Sequence, residues 1–250
     1  MNLSSALRLA PGDVVAFVGG GGKTTAMFRL ADEIVSAGGQ VITTTTTRIA
    51  LEQTRLAPLH LQSPADLRAA LHRSPHVLLT GAIDSAEDKA PGLPPDSICV
   101  LHSAFSNLII LVEADGARLR PFKAPTEHEP VIPQCATIVV PVVGIDVIGK
   151  PLTAKFVHRP EAVARIHPGV TASPEMVAAV LAHPSGGRKN IPVGARAIVF
   201  INKVGSDEGR LAAAQIVGFL RERGGIDAVM VGAAAMADPV IEVFHLTANV

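Results

Sequence analysis

Val14-Val15-Ala16-Phe17-Val18-Gly19-Gly20-Gly21-Gly22-Lys23-Thr24-Thr25 is the stretch whose reading decides the fold. An apolar, β-branched run feeds four glycines, then Lys-Thr-Thr, then a helical pattern. Glycine lets the backbone turn tightly and bring its N–H groups against phosphate oxygens, with no Cβ in the way. A helix starting there adds unpaired N–H groups and the positive end of its dipole. The motif is the short G-x-x-G-K-T-T beginning at Gly19; the longer P-loop pattern needs glycine where Phe17 stands. Gly19, Gly20, Gly21, Gly22, Lys23, Thr24 and Thr25 are therefore expected to bind a nucleotide triphosphate. Lys23 would set its charge on the β/γ-phosphates and Thr24 its hydroxyl on Mg²⁺. A glycine-rich turn that binds nothing is the alternative; Gly-Lys-Thr at a strand-to-helix junction argues against it. Lys23→Ala is expected to abolish nucleotide binding and leave the fold intact.

Working outward, Met27, Leu30, Ala31, Ile34 and Val35 recur at helical spacing until Gly38-Gly39. Gln40-Val41-Ile42 opens a second strand that runs into Thr43–Thr47. Strand, loop, helix and strand make one βαβ unit, hence a parallel sheet. Ligands sit beyond the C-terminal strand ends of such sheets, which brings the threonine run (Thr45 at its centre) or Arg48 to phosphate or Mg²⁺. Asn107–Val112 is a buried strand ending in Glu113-Ala114-Asp115-Gly116, the Walker B arrangement in which an acid holds Mg²⁺. Glu113 and Asp115 join Lys23 as catalytic candidates and Thr24 as metal candidates. The spacing leaves open which acid takes the metal.

Residues 52–75 read as a connection and a short helix with Ser63 as N-cap and Pro64 at its first position. His76–Gly81 reads as a strand and residues 82–96 as a surface loop, with a mobile lid as the alternative. From Arg118 to Pro130 the chain is dense in charge and proline and should rim the site. Arg118, Arg120 and Lys123 are available there to phosphate or an anionic substrate, and Glu127-His128-Glu129 reads as a solvated loop, with a metal or acid/base group as the alternative. Thr137–Val143 is a further strand. Asp146, Lys150, His158 and Arg159 are reactive-looking, with no spacing that fixes a role. A helix starts at Ser173-Pro174, and residues 183–194 read as a linker. Ala195–Ile201 is a strand ending in Asn202-Lys203-Val204-Gly205. N-K-x-D at such a place reads guanine; here Gly205 replaces the acid, so Asn202 and Lys203 are the expected base-site residues and GTP and ATP both stay open. Ala213, Ile216, Val217 and Leu220 mark the last helix, and Val229–Ala233 a final core strand.

With 250 residues, nearly half of them apolar, the chain has a core's worth of Ala, Val, Ile and Leu, and one domain over 1–250 is the simplest organisation. The expected architecture is a three-layer P-loop NTPase-like α/β fold, a mostly parallel central sheet flanked by helices. Lys+Arg and Asp+Glu balance at 22 each, which gives no overall electrostatic footprint for nucleic acid or an anionic membrane. Cys99 and Cys135 are far apart with no C-x-x-C, as for two buried free thiols of a reduced cytoplasmic protein. Neither a signal-peptide pattern nor an 18-residue apolar run is present, so a soluble cytoplasmic protein with no membrane contact is expected.

Several stretches occur together in one order: Val18–Thr25, the threonine run, Val112-Glu113-Ala114-Asp115-Gly116-Ala117, Lys123–Pro130, Gly144–Leu152 and Val157-His158-Arg159-Pro160-Glu161. In this the chain resembles the YqeC-type selenium-dependent hydroxylase accessory proteins, over roughly residues 14–205. The resemblance implies a cytoplasmic P-loop protein that binds Mg²⁺ with GTP or ATP. It implies further a protein client, a molybdenum hydroxylase or a factor maturing its cofactor. An accessory NTPase is the leading expectation. A small-molecule kinase with an acceptor on Arg118, Arg120, Lys123 or His158 is the second, and a nucleotide-gated module without turnover the third.

Overall fold

Alternate residues of the first apolar run face opposite ways, and both sets are buried. Val14, Ala16 and Val18 pack on one side of a sheet, Val15 and Phe17 on the other. This two-sided burial is why the strands read as continuous apolar runs. The computed structural model describes residues 1–83 and 89–246.

Thirteen strands occur among the described residues. The early ones are β1 (Val14–Gly19), β2 (Val41–Thr45), β3 (Ile49–Ala50), β4 (His60–Leu61), β5 (His76–Leu79), β6 (Lys89–Ala90) and β7 (Ile109–Glu113). The later ones are β8 (Phe122–Lys123), β9 (Ile138–Gly144), β10 (Val157–His158), β11 (Arg196–Asn202), β12 (Ala228–Gly232) and β13 (Val240–His245). Nine form one sheet in the order β13-β12-β11-β9-β1-β7-β2-β5-β4, parallel except for β13 against β12. The helices are α1 (Leu3–Leu7), α2 (Lys23–Ser36), α3 (Leu67–Arg73), α4 (Pro95–Ala104), α5 (Pro160–Ile166), α6 (Pro174–Ala182) and α7 (Asp207–Arg223). α1 and α2 cover one face. α3 and α4 cover part of the other, and α5, α6 and α7 the rest. The fold is thus the expected three-layer α/β arrangement.

Register places the site. β1 lies between β7 and β9, with Phe17 abreast of Glu113 on one side and of Val140 on the other. The glycine loop therefore leaves the sheet beside the acidic end of β7 and the Gly144 end of β9. The start of α2 has no side-chain cap, and its N-cap residue Gly22 adopts φ +113°. Its end is the glycine stop expected, Gly38 N–H bonding Val35 O and Gly39 N–H bonding Ile34 O, with Gly38 at φ +83°.

Several expectations need correction. Residues 82–96 are not one loop: Lys89–Ala90 pairs antiparallel with Ile49–Ala50, and α4 begins at Pro95. Asp84–Asp88 of that stretch lie outside the described residues. β12 is the last fully buried strand, and one further strand not expected from the sequence, β13, runs antiparallel along its edge. Residues 183–194 do not trail as a linker; Lys189 Nζ donates to Thr126 O and Glu127 O, and Asn190 Nδ2 to Pro130 O at 2.9 Å. Cys99 and Cys135 are not free thiols. They are joined as a disulfide, their Cα atoms 5.5 Å apart across 36 residues of sequence, because α4 packs beside the approach to β9. No described helix is long and apolar enough to cross a membrane.

His76 opens β5 fully buried, with Nε2 2.9 Å from the Thr43 hydroxyl. Burial lowers its pKa to about 4. Between pH ~6.5 and that value the unfolded chain binds a proton that the folded imidazole refuses. Folding stability should therefore fall as pH drops through this window. His76→Gln should flatten the fall, as read from urea midpoints at several pH values; an unchanged slope would place the pH sensitivity elsewhere.

Candidate functional site

The loop between β1 and α2 is held from three directions. Gly19 N–H donates to Asp115 Oδ2 at 2.9 Å, Gly20 N–H to Val142 O at 2.9 Å and Gly21 N–H to Arg120 O at 2.9 Å. A Cβ on Gly20 would stand 2.6 Å from Arg120 O, and one on Gly22 2.6 Å from Asn202 Nδ2. These glycines are needed first for close packing on their own chain. The N–H groups of Gly22, Lys23, Thr24 and Thr25 have no acceptor among the described residues. They form the open N-terminus of the 14-residue α2.

Lys23 is the first residue of that helix, and its ammonium folds back. It donates to Gly19 O at 2.8 Å and sits 3.2 Å from Asp115 Oδ1 and 3.6 Å from Glu113 Oε1. Burial opposes its charge, but the two carboxylates outweigh that and raise its pKa above the ordinary lysine value. The ammonium is therefore a fixed charge at physiological pH.

Glu113 and Asp115, which the sequence leaves equivalent, have different surroundings. Glu113 Oε2 accepts the Thr24 hydroxyl at 2.7 Å. Asp115, 1% exposed, is the hub of the loop: Oδ2 takes Gly19 N–H and lies 3.1 Å from Lys123 Nζ. Its Oδ1, facing Lys23, makes no hydrogen bond. Lys123 is itself buried, on Gly116 O at 2.7 Å and Glu129 Oε2 at 2.8 Å. It is thus an internal cation and not the exposed phosphate ligand expected. The structure accordingly lines up Lys23, Asp115, Lys123 and Glu129, and so ties the glycine loop to residues 116–130.

The threonine run is turned inward. Thr45 Oγ1 donates to Glu113 O at 2.9 Å, Thr44 Oγ1 to Leu79 O at 2.8 Å and Thr46 Oγ1 to Val131 O at 2.7 Å. Thr45 fixes the backbone of Glu113 from the neighbouring strand. Gln53, in a 3₁₀ turn over Leu51–Leu56, reaches the Thr24 hydroxyl at 3.4 Å. No periodicity or motif marks it in the sequence.

At the end of β11, Asn202 is buried and bridges two segments. Its Nδ2 donates to Gly21 O at 2.8 Å and its Oδ1 accepts Ala234 N–H at 2.9 Å. One amide proton remains, since the group has two. Lys203, with φ +65°, pairs with Asp146 Oδ2 at 2.8 Å in a half-exposed position. Asp146 therefore stands beside Lys203 although it is distant in sequence.

On the other side of Lys123, β8 and β10 pair in parallel with His158 opposite Lys123. Arg159 Nε donates to His158 Nε2 at 3.3 Å. Burial lowers the pKa of His158, and Lys123, Arg159 and Arg118 push the same way against Glu129.

Among the described residues no three His, Cys, Asp or Glu side chains converge as a metal cage. The Thr24–Glu113 pair is a different kind of fit. Two hard oxygen donors are in contact at the mouth of the N–H cradle, the set Mg²⁺ takes when phosphates and water complete its shell.

The YqeC protein family profile matches residues 15–161. A curated protein of Escherichia coli (strain K12), called Uncharacterized protein YqeC, is 32% identical over 222 residues, which is 88% of this chain and 86% of that one. Among solved structures, chloroplast FtsY from Physcomitrella patens aligns with 94% of this chain at 14% identity and TM-score 0.47. The signal recognition particle receptor FtsY from Elizabethkingia anophelis aligns with 97% at 14% identity and TM-score 0.43. The chain spans 62% and 66% of the lengths of those two structures, so both likenesses are partial.

Proposed function

The chain belongs to the YqeC family, and from that premise we propose that it is a Mg²⁺-dependent P-loop nucleoside triphosphatase. The observation that carries this reading is the open cradle of N–H groups at Gly22–Thr25, with the Lys23 ammonium and the Thr24–Glu113 pair at its edge. Triphosphate oxygens are the acceptors such a helix start lacks. Bound Mg²⁺, held by Thr24 and neighboured by Glu113, would offset the charge that builds on the phosphates.

The chain's own residues do the rest. Lys23 exchanges one set of anionic partners for another, leaving Asp115 and Glu113 for phosphate oxygens. Gly19, Gly20 and Gly21 keep their internal bonds and hold the loop's shape. Asp115 stays with Lys123 when Lys23 leaves, so phosphate binding is felt directly in residues 116–130. Asn202 and Lys203 lie where the base would sit. Asp146, paired to Lys203, supplies the carboxylate that Gly205 lacks, which favours GTP over ATP. The motif resemblance points to a client in the maturation of a selenium-dependent molybdenum hydroxylase.

Turnover tests this reading. Phosphate release from Mg·GTP or Mg·ATP without added acceptor is expected, whereas release that needs a small-molecule acceptor would make the chain a kinase. Glu113→Gln should keep nucleotide affinity within a fewfold and raise the Mg²⁺ needed for half-maximal turnover by about tenfold. An unchanged Mg²⁺ requirement would remove Glu113 from the metal site.

A further inference from the structure

Residues 118–123 and 150–159 hold six cations, Arg118, Arg120, Lys123, Lys150, Lys155 and Arg159, and no acid. The structure joins the two segments through the β8–β10 pairing and through Arg120 Nε on Ala154 O at 2.8 Å. Only Lys123 is neutralised, by Asp115 and Glu129; the other five form no ion pair among the described residues. Lys150 and Lys155 both lie against the Phe156 ring, their ammonium groups 5.8 and 5.2 Å from its centre, and neither forms an ion pair among the described residues. Arg159 and His158 are half-buried, and Arg159 donates only its Nε to His158, leaving its two Nη groups. The backbone supports this placement at some expense: Arg118, Leu119 and Arg159 have φ of +49°, +60° and +63°, a region costly for such residues.

We propose that Arg118, His158, Arg159, Lys150 and Lys155 form a second anion site, separate from the glycine loop, for a small phosphate-bearing molecule. The four cations of this set, Arg118, Arg159, Lys150 and Lys155, have no counter-charge among the described residues, and a bound anion would supply one. The half-buried His158–Arg159 pair suits a compact group approached by the free guanidinium edge, with the lysines reaching the remaining charge. A flat acidic protein surface would meet the lysines and miss that pair. The site adjoins Lys123 and hence Asp115, so its ligand would lie next to the glycine loop, where a second substrate or an effector belongs. This inference goes beyond the nucleotide reading and stands without it.

The test is a titration of the whole chain with inorganic phosphate at constant ionic strength, followed by NMR at two places. One is the His158 imidazole, assigned by its loss in His158→Gln; the other is the set of Gly22–Thr25 amides. A saturable shift at His158 is expected. It should weaken about tenfold in Arg159→Asn, a residue tolerant of the left-handed backbone, and severalfold in the exposed variant Lys155→Gln. The amide response should be unchanged in both variants. Four outcomes would overturn the site: no shift at His158, a shift that never saturates, a shift that follows the amides and ignores both substitutions, or a response to polyglutamate or heparin with none to phosphate. Failure of the nucleotide reading would instead show as silent amides, whatever His158 does.

Discussion

Lys23→Ala is expected to weaken Mg·nucleotide binding at least about a hundredfold and to destabilise the free protein at the same time. The first effect is the loss of a charged donor to the phosphates, together with its Coulomb attraction. The second arises because the ammonium is buried between Asp115 and Glu113, 3.2 and 3.6 Å away. Removing one partner of a buried ion cluster leaves the other uncompensated, at a cost of about 3–5 kcal/mol. Titration with a fluorescent nucleotide analogue reads the first effect and urea unfolding the second. The expectation from sequence, a variant with intact fold and no binding, treats Lys23 as a solvated ligand-binding side chain. Wild-type affinity in the variant would remove the lysine from the phosphate site.

Asp115→Asn should cost about 3 kcal/mol of folding stability, more than a typical polar substitution. Asparagine keeps an oxygen for Gly19 N–H but takes away the negative charge shared by Lys23 and Lys123. Both lysines are 4% exposed, so water replaces little of what is lost. Glu113 and Glu129 remain to each, which keeps the effect below that of losing every partner. With its hub neutral, the loop should also bind nucleotide less tightly, because residues 116–130 no longer brace it. A loss of stability under about 1 kcal/mol in urea unfolding would mean that the pair of lysines is solvated in the protein at work.

The parts of this molecule that were legible in the sequence are those where the signal is local. β1, β7, β9 and β11 are continuous apolar runs because each is covered on both faces, and the motifs fall at their ends. Lys23, Thr24 and Glu113 meet because a helix start and the end of the next strand in the sheet are neighbours by topology. The sequence could not separate Glu113 from Asp115, since the difference lies in Lys123, which reaches Asp115 only after residues 116–123 turn back. Nor could it show Lys123 as internal, since its strand, β8, exists by pairing with residues 35 positions on in β10. The Cys99–Cys135 link and the Asp146–Lys203 pair were hidden for the same reason. β13 is a different case. Val240–His245 reads Val-Ile-Glu-Val-Phe-His, a strand-like run broken only by Glu242, but it lies at an exposed sheet edge with only Val240 buried, so nothing local says that it pairs with β12.

The central claim is that four backbone N–H groups at the start of α2 receive the phosphates. The ¹H–¹⁵N spectrum of the protein, recorded while a non-hydrolysable GTP or ATP analogue is added with Mg²⁺, tests it most directly. The account predicts large, saturable shifts at Gly22, Lys23, Thr24 and Thr25. Gly19, Gly20 and Gly21, bonded to Asp115, Val142 and Arg120, should move far less. Shifts confined to other parts of the chain, or none with either analogue at millimolar concentration, would contradict it.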